Sequence, residues 1–293
     1  MRQDKSIYFL TGDLGYSVLE DIEKEFQSRF INVGIAEQNL IGIASGLALS
    51  GKKVYVYSII PFITMRCFEQ IRNDICYHNL NVTILGVGAG LSYGILWPTH
   101  FALEDIAILN VLPNMTIFSP CDETEAILGI KELYKLQRPC YFRIGKKQEP
   151  IIYKNSFNLK IGKGNVITEG SDIVIFSSGP IVSEVIKAVD ILRIKKINAS
   201  LVDIHTIKPI DYEIIIEKAK NKKMIFTVEE HYKIGGLGSI ISQILVSEKN
   251  SQQVISIGID NKFIKDVGSQ NYLREKFGLS GDKIASIIVE SLK

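Results

Sequence analysis

The sequence predicts an α/β protein built from two doubly wound domains. Short runs rich in β-branched and aromatic residues alternate with helical periodicity, a pattern typical of crossover units that build a parallel sheet. The pattern occurs twice, separated by residues 146–170, which are rich in Lys, Asn and Gly. With 293 residues, the chain is long enough for two cores of ordinary size. We expect domains over residues 1–150 and 151–293, with a linker at about 146–170.

The strands of the first half are predicted from short apolar runs bounded by polar or glycine-containing segments. These runs cover residues 6–10, 30–33, 53–57, 82–87, 115–118 and 140–144. The run at 30–33 leads directly into a predicted helix that carries Glu37. Ile41, Ala44 and Ala48 recur on the face of that helix that also carries Glu37, so its carboxylate is expected to point toward protein.

The second half repeats the alternation of strands and helices. Its predicted strands cover residues 172–177, 199–204, 224–228 and 254–257. Its predicted helices cover residues 182–193, 212–220 and 239–246. The chain contains no internal repeat and no low-complexity tract.

Composition indicates an ordinary globular protein and gives no support for nucleic acid or membrane binding. The hydrophobic content is 46%, the formal net charge is +2, and no apolar run approaches membrane-spanning length. The N-terminus leads straight into a predicted strand, so no signal peptide is expected. The cysteines have no C-x-x-C spacing and are interpreted as reduced thiols of a cytoplasmic protein. They are Cys67, Cys76, Cys121 and Cys140.

Glu37 is the residue whose position most needs an explanation, because it lies at the start of an otherwise apolar helix. One interpretation is an ordinary acid in the first helical turn, where the helix dipole favours negative charge. The other is a buried carboxyl group that holds or shares a proton near neutral pH and so takes part in catalysis. Periodicity alone leaves both open.

Four stretches in the same order carry a resemblance to a known family. Val33-Gly-Ile-Ala-Glu37-Gln-Asn39 resembles the glutamate signature of the pyrimidine-binding domain of transketolases, 1-deoxyxylulose-phosphate synthases and 2-oxo acid dehydrogenase beta subunits. Tyr57-Ser-Ile-Ile-Pro-Phe-Ile-Thr-Met-Arg66-Cys-Phe-Glu-Gln70, Pro98-Thr-His100 and Ser119-Pro-Cys-Asp-Glu-Thr-Glu-Ala126 are similar to the segments that follow. The resemblance implies a thiamine-diphosphate-binding-fold pyrimidine domain followed by a transketolase C-terminal-like domain.

The resemblance also implies a partner subunit. Transketolases grip the cofactor diphosphate through Mg²⁺ with a Gly-Asp-Gly motif in a domain that precedes this region. The sequence Gly12-Asp13-Leu14 is not that motif, because Leu14 replaces a glycine that allows close backbone approach. The chain is therefore expected to be the C-terminal subunit of a split transketolase, with the metal ligands on a separate N-terminal subunit and an α2β2 assembly.

In this family a carboxylic acid hydrogen-bonded to N1 of the cofactor's aminopyrimidine favours the tautomer that removes the C2 proton of the thiazolium. By resemblance Glu37 is the residue expected in that role. The pyrimidine ring is normally faced by aromatic side chains. Phe62 is the aromatic residue nearest to those positions, although strict counting places Ile60 and Ile63 there. Apolar packing is retained with any of the three, and Phe62 as a plain core residue is the alternative.

Three further residues match functional positions of the family. His100 matches a histidine beside the substrate hydroxyl and the cofactor, where imidazole serves as a proton shuttle. Arg143 matches an arginine that grips the substrate phosphate, and an interdomain or surface ion pair is the alternative. Asp13 matches an aspartate near the thiazolium, and a turn or helix-cap residue is the alternative.

The sequence departs from the sugar-phosphate transketolases at the substrate site. The aspartate that recognises a donor hydroxyl is replaced by Leu96, which is followed by Trp97, and a second substrate histidine is replaced by Gly88. An active-site floor more apolar than in those enzymes is therefore expected. The sequence does not name the ketose, 2-oxo acid or acceptor of the ketol transfer.

Two rival functions remain at this point. A 2-oxo acid dehydrogenase beta subunit shares the glutamate and the split organisation, whereas the Pro-Thr-His segment favours transketolase. A non-catalytic interaction subunit is the other rival, and the presence of Glu37 and His100 argues against it. In the second half, Glu229-Glu-His231 and Gly235-Gly-Leu-Gly238 resemble family segments that serve dimer contacts and architecture rather than a metal or phosphate site.

Overall fold

The structure, a computed structural model, describes residues 1–146, 149–250 and 252–293. Residues 147 and 148 of the expected linker lie outside the described residues. The strands are β1 Ile7–Thr11, β2 Phe30–Asn32, β3 Lys53–Ile59, β4 Val82–Val87, β5 Thr116–Phe118, β6 Cys140–Ile144, β7 Asn165–Thr168, β8 Ile173–Ser177, β9 Ala199–Asp203, β10 Thr206–Lys208, β11 Met224–Tyr232 and β12 Val254–Ile259. All ten predicted strands are present, and each begins within one residue of its predicted start.

The helices of the first half are α1 Glu20–Glu25, α2 Glu37–Leu49, α3 Ile60–Thr64, α4 Phe68–Gln70, α5 Asp105–Asn110 and α6 Glu123–Lys135. Those of the second half are α7 Val182–Ile194, α8 Tyr212–Ala219, α9 Leu237–Ser247, α10 Gln270–Lys276 and α11 Gly281–Ser291. A π-helical turn follows α4, and 3₁₀ turns cover Gly94–Leu96, Pro98–His100 and Gly179–Ile181. Within the described residues, no helix is long and apolar enough to cross a membrane.

The strands form two sheets, which confirms the predicted α/β class. The seven-stranded sheet has the order β10-β5-β6-β4-β3-β1-β2, and the five-stranded sheet has the order β12-β11-β8-β9-β7. Pairing is parallel except at two edges, where β10 pairs with β5 and β7 pairs with β9 in antiparallel fashion. Periodicity missed both of these edge strands, whose antiparallel pairing with strands distant in sequence leaves no local signal.

The two antiparallel strands connect the two halves of the chain. β7 lies inside the segment expected to be the linker, yet it forms an edge of the second sheet. β10 comes from the second half of the sequence, yet it extends the first sheet. One buried apolar cluster includes Ile117 of the first sheet and Val202 of the second. The halves are therefore packed as one body around a shared core.

The winding of the first sheet creates a crevice at the carboxyl end of β1. The chain passes from β1 to β2 on one side and then to β3 on the other side of β1. Connections that leave on opposite sides of a parallel sheet open a crevice at the carboxyl ends of its strands, which is where ligands bind in this class of fold. The loops that follow β1, β2, β3 and β4 all lead to this edge.

A buried acid pair joins the two halves away from that crevice. Carboxylate oxygens of Glu125 in α6 and Asp203 at the end of β9 lie within 4.8 Å of each other and of Cys121 Sγ. The Tyr153 hydroxyl donates to Asp203 Oδ2 over 3.0 Å. Burial raises the pKa of Asp203 to about 6. Burial and the neighbouring Asp203 charge raise the pKa of Glu125 well above its ordinary value. The pair therefore retains a proton at pH values at which exposed carboxyl groups are already ionised.

This proton makes one component of stability fall as pH rises. Because the folded pKa of Asp203 exceeds its ordinary value of 3.8, the contribution is fully present below about pH 4 and is lost as pH rises through about 6. We expect the unfolding free energy of wild type to lose about 1 to 3 kcal/mol relative to Asp203→Asn between pH 4 and 7. Urea unfolding of both proteins across that range measures it. Parallel pH profiles would contradict the shared proton.

Candidate active site

Glu37 lies at the first position of α2, directly beside the crevice. Its side chain is 2% exposed, which confirms the expectation that it points toward protein. Gly34, with φ of +74°, turns the chain from β2 toward the helix. Gly12, in the loop after β1, faces the same carboxyl group, since an added Cβ would lie 3.9 Å from Glu37 Cγ. Small residues therefore leave open space beside a buried acid.

Arg66 holds the Glu37 carboxylate. Its Nη1 donates to Glu37 Oε2 over 2.6 Å, and about half of the arginine side chain is exposed. The guanidinium carbon also lies 4.8 Å from the centroid of the Phe62 ring. Sequence reasoning missed Arg66, because residues 29 positions apart give no periodic signal of contact. The arginine fixes the orientation of the acid on the crevice side.

Phe62, rather than Ile60 or Ile63, is the apolar residue of α3 that faces the site. The Phe62 ring is partly exposed and meets the His100 ring edge-on, with centroids 5.0 Å apart. Ile60 and Ile63 are fully buried in the core of the first sheet. α3 begins immediately after β3 and turns those two side chains inward. Of the three expected residues, Phe62 is the one that this geometry favours for contact with a cofactor.

His100 closes the other side of the crevice at the end of a 3₁₀ turn. Its Nδ1 lies 3.0 Å from the Thr99 hydroxyl oxygen, and its ring is 6.0 Å from the ring of Tyr93. Burial, together with the nearby Tyr93 phenol, raises the pKa of Tyr57 to about 12. The structure thus brings His100 and Phe62 together with two neutral tyrosines at the carboxyl ends of β3 and β4.

Tyr93 and Lys146 are two further site residues that sequence reasoning missed. Lys146 Nζ lies 4.5 Å from the centroid of the Tyr93 ring. A Cβ at Gly88 would lie 2.2 Å from ring atoms of Tyr93, so this ring fills the space above the glycine. The replacement of a family histidine by Gly88 could have indicated that another side chain, here that of Tyr93, enters the site. Space left by a lost side chain is normally filled by another one.

Leu96 and Trp97 lie on the rim of the crevice rather than on its floor. They are 38% and 61% exposed, and Trp97 has a left-handed φ of +69°. Asp13, also left-handed with φ of +59°, takes a hydrogen bond from the Asn32 side-chain amide over 3.0 Å. Its backbone N–H donates to Asn32 Oδ1 over 2.9 Å. Within this chain, Asp13 therefore makes the contacts of a turn residue, which was the alternative to a role near the thiazolium.

Arg143 does not face the crevice. It is 2% exposed, its Nε donates to Asp105 Oδ2 over 2.7 Å, and its Nη2 donates to the carbonyl oxygens of Ala102 and Glu230. Tyr141 donates its hydroxyl to the same Asp105 oxygen over 2.6 Å. The ion pair with Asp105 lies within the first half, and the bond to the Glu230 carbonyl oxygen reaches the second half. In this structure the Nε and Nη2 donors of Arg143 are engaged inside the protein, so its expected role at a substrate phosphate stays a prediction.

The acidic and glycine segments of the second half are structural in this chain. Glu229 accepts the backbone N–H groups of Leu237 and Gly238 at the start of α9, and burial raises its pKa to about 7. Glu230 accepts the Leu91 N–H from the first half and pairs with Arg274 over 2.6 Å. The bond from Leu91 connects the two halves, whereas the other contacts lie within the second half.

Comparisons with known proteins agree with this geometry. The family models described as the transketolase pyrimidine binding domain and the transketolase C-terminal domain match residues 1–150 and 162–284. The chain is 39% identical to an apulose-4-phosphate transketolase subunit of Phocaeicola vulgatus, covering 100% of this chain and 93% of the relative. It is 31% identical to a 6-deoxy-6-sulfo-D-fructose transketolase subunit of a Clostridium species, with coverages of 97% and 88%.

A solved structure gives the same result at the level of the fold. The protein described as "Split gene transketolase, inactive beta4 tetramer" superposes with a TM-score of 0.88 at 35% identity, covering 99% of this chain and 93% of that one. These matches favour the transketolase interpretation over that of a 2-oxo acid dehydrogenase subunit. The two domain models together span most of the sequence in the family's own order. The chain belongs to the transketolase family and contains its pyrimidine-binding and C-terminal domains.

Proposed function

We propose that this protein is the C-terminal subunit of a thiamine-diphosphate-dependent split transketolase. The complex moves a two-carbon ketol unit from a ketose or 2-oxo acid donor to an aldehyde or sugar acceptor. The observation that carries the proposal is Glu37, a buried carboxyl group held by Arg66 at the carboxyl edge of the first sheet. The role as one subunit of a complex is supported by relatives that are named as transketolase subunits.

The residues present fit the aminopyrimidine of thiamine diphosphate. Glu37 offers a carboxyl group beside the small residues Gly12 and Gly34, and Phe62 offers a partly exposed aromatic face on the same side. When bound, thiamine diphosphate supplies the stabilised carbanion that ketol transfer requires. Glu37 then provides the hydrogen-bonding proton at the pyrimidine nitrogen, and Phe62 packs against the ring and excludes water.

His100 and Lys146 are proposed to handle the substrate. The partly exposed imidazole of His100 is positioned to accept or donate a proton at a substrate hydroxyl through Nε2, because Thr99 already engages Nδ1. Lys146 is an exposed cation beside this group of rings, since its ammonium lies over Tyr93, whereas Arg66 is paired with Glu37 and Arg143 is buried. An exposed ammonium suits the anionic end of a phosphorylated or carboxylated substrate.

Cofactor binding is proposed to be completed by an N-terminal subunit that contributes the Mg²⁺ and diphosphate site, in an α2β2 assembly. The relatives named as transketolase subunits and the solved tetramer of a split transketolase support a partner of this kind. The cytoplasm is the proposed location, because the four cysteines are buried free thiols, as in a reducing compartment.

Calorimetric titration tests the split arrangement. We expect the purified chain alone to bind thiamine diphosphate weakly or not at all in the presence of Mg²⁺, and to have no activity. Co-expression with the N-terminal subunit should restore both properties, and omission of Mg²⁺ from the complex is the control. Tight Mg²⁺-dependent binding by this chain alone would overturn the proposed division between the two subunits.

Substrate choice is expected to depend on Leu96. A leucine cannot accept a hydrogen bond from a donor hydroxyl, and leaving that hydroxyl unpaired costs about 1 to 3 kcal/mol. Leu96→Asp should therefore raise the kcat/KM of the complex for xylulose 5-phosphate by about one to two orders of magnitude. Leu96→Asn tests whether the negative charge is needed. Efficient use of xylulose 5-phosphate by the wild-type complex would contradict this specificity argument while leaving the cofactor chemistry intact.

A further inference from the structure

The space above Gly88 is occupied by the ring of Tyr93. Gly88 directly follows β4 and has φ of +96°, and an added Cβ would lie 2.2 Å from two ring atoms of Tyr93. That distance is far shorter than any ordinary contact between carbon atoms. A side chain at position 88 and the present position of the Tyr93 ring are therefore mutually exclusive.

The backbone next to Tyr93 is fixed from both sides. Gly94 packs so closely against the second half that an added Cβ would lie 2.4 Å from the carbonyl oxygen of Gly268. The Gly268 N–H also donates to the Gly94 carbonyl oxygen over 3.2 Å. The carbonyl oxygen of Leu91, three residues earlier, accepts the Gly94 N–H over 2.9 Å. The ring is thus presented from a constrained turn, so it can leave this space only by a change of side-chain rotamer.

The ring lies close to both groups that the proposed function assigns to the substrate. Its centroid is 6.0 Å from that of His100, and Lys146 Nζ is 4.5 Å from it. A linear ketose phosphate whose reacting carbon lies at His100 and whose phosphate lies at Lys146 would compete with the ring for space, because the ring is within 6.0 Å of both groups. A three-carbon 2-oxo acid does not extend that far.

We propose that Tyr93 is a specificity-determining residue whose ring limits the length of the donor and selects short donors over linear ketose phosphates. The proposal rests on the proposed transketolase function and adds a specific determinant to it. The bulk of the ring is the operative property. The phenol hydroxyl has no part in the selection.

The test compares two donors in the complex with the N-terminal subunit, using one aldehyde acceptor. Tyr93→Val should raise the ratio of kcat/KM for xylulose 5-phosphate to kcat/KM for hydroxypyruvate at least about tenfold, a size typical of relieving an overfilled site. Tyr93→Phe keeps the ring, so its ratio should stay within about threefold of the wild-type value. Tyr77→Val removes an exposed tyrosine of the same half and is the matched control.

The outcomes separate this inference from the proposed function. An unchanged ratio in a folded Tyr93→Val complex, or an equal rise in Tyr93→Phe, would overturn the role of the ring. A wild-type complex with no cofactor-dependent turnover of either donor would overturn the transketolase proposal, and this inference with it.

A double-mutant cycle of thermal stability tests whether the Tyr93 ring fills the space above Gly88. This measurement does not depend on catalytic activity. Gly88→Ala should lower Tm by at least about 2 °C more with Tyr at position 93 than with Val. The strain of the positive φ is present in both backgrounds and cancels in the comparison. Equal losses of Tm would show that the ring does not fill that space.

Discussion

Glu37→Gln is expected to slow exchange of the cofactor's C2 proton in the assembled complex by at least about a hundredfold, the lower scale for acid–base groups. Glutamine keeps the size of the side chain and an oxygen that can accept from Arg66, so the fold is retained. The amide has no carboxylic proton to offer at the pyrimidine nitrogen. Quenched-flow deuterium exchange followed by NMR measures this rate directly and is independent of the substrate.

Glu104→Gln is the matched control for this experiment. Glu104 is another partly buried carboxyl group of the first half, and burial raises its pKa. Its carboxylate accepts the neighbouring Leu103 N–H rather than a donor at the Glu37 site. Exchange in this control should match wild type. Wild-type exchange in a folded, cofactor-bound Glu37→Gln complex would return Glu37 to the alternative of an ordinary helix-start acid.

Periodicity predicted the architecture because parallel strands are buried on both faces. Such strands therefore consist of continuous apolar runs in the sequence. β4 and β6 were located residue for residue, and the burial of Glu37 followed from the spacing of its apolar neighbours. The edge strands β7 and β10 escaped prediction since each is specified by its pairing with a partner strand distant in sequence. Tertiary pairing decided those segments.

The composition of the site was harder to predict than its location. Arg66, Tyr93 and Lys146 reach the site through contacts between loops that are distant in sequence, and no local rule reports such contacts. The contacts of Arg143 were hard to predict for a related reason. Motif matching places a residue near the correct strand end, whereas the direction of its side chain depends on partners such as Asp105 that lie elsewhere in the sequence.

Arg143→Ala is expected to lower the unfolding free energy by about 3 to 5 kcal/mol, the cost of leaving a buried charge without its partner. The arginine and Asp105 are 2% and 0% exposed as side chains. Removing the guanidinium leaves Asp105 with the Tyr141 hydroxyl, which is not a charged partner. The carbonyl oxygens of Ala102 and Glu230 also lose their donor. Urea unfolding monitored by circular dichroism measures the loss.

Two variants separate this structural role from substrate binding. Arg193→Ala removes an arginine whose pair with Asp190 is exposed on both sides, so it should cost less than about 1 kcal/mol. Lys146→Ala should leave stability within about 0.5 kcal/mol of wild type, as surface substitutions usually do, and raise KM for phosphorylated donors.

Arg143→Ala should show the opposite pattern, with lost stability and an unchanged KM in the fraction that remains folded. Its guanidinium lies inside the protein and donates to oxygens of the chain itself. A stable Arg143→Ala protein with a raised KM would mean that the arginine turns outward when substrate binds. The Arg143–Asp105 ion pair would then be broken when substrate binds, rather than a fixed part of the structure. The loss of stability is the expected result, because a buried pair with three hydrogen-bonded partners is held too firmly to open for a ligand.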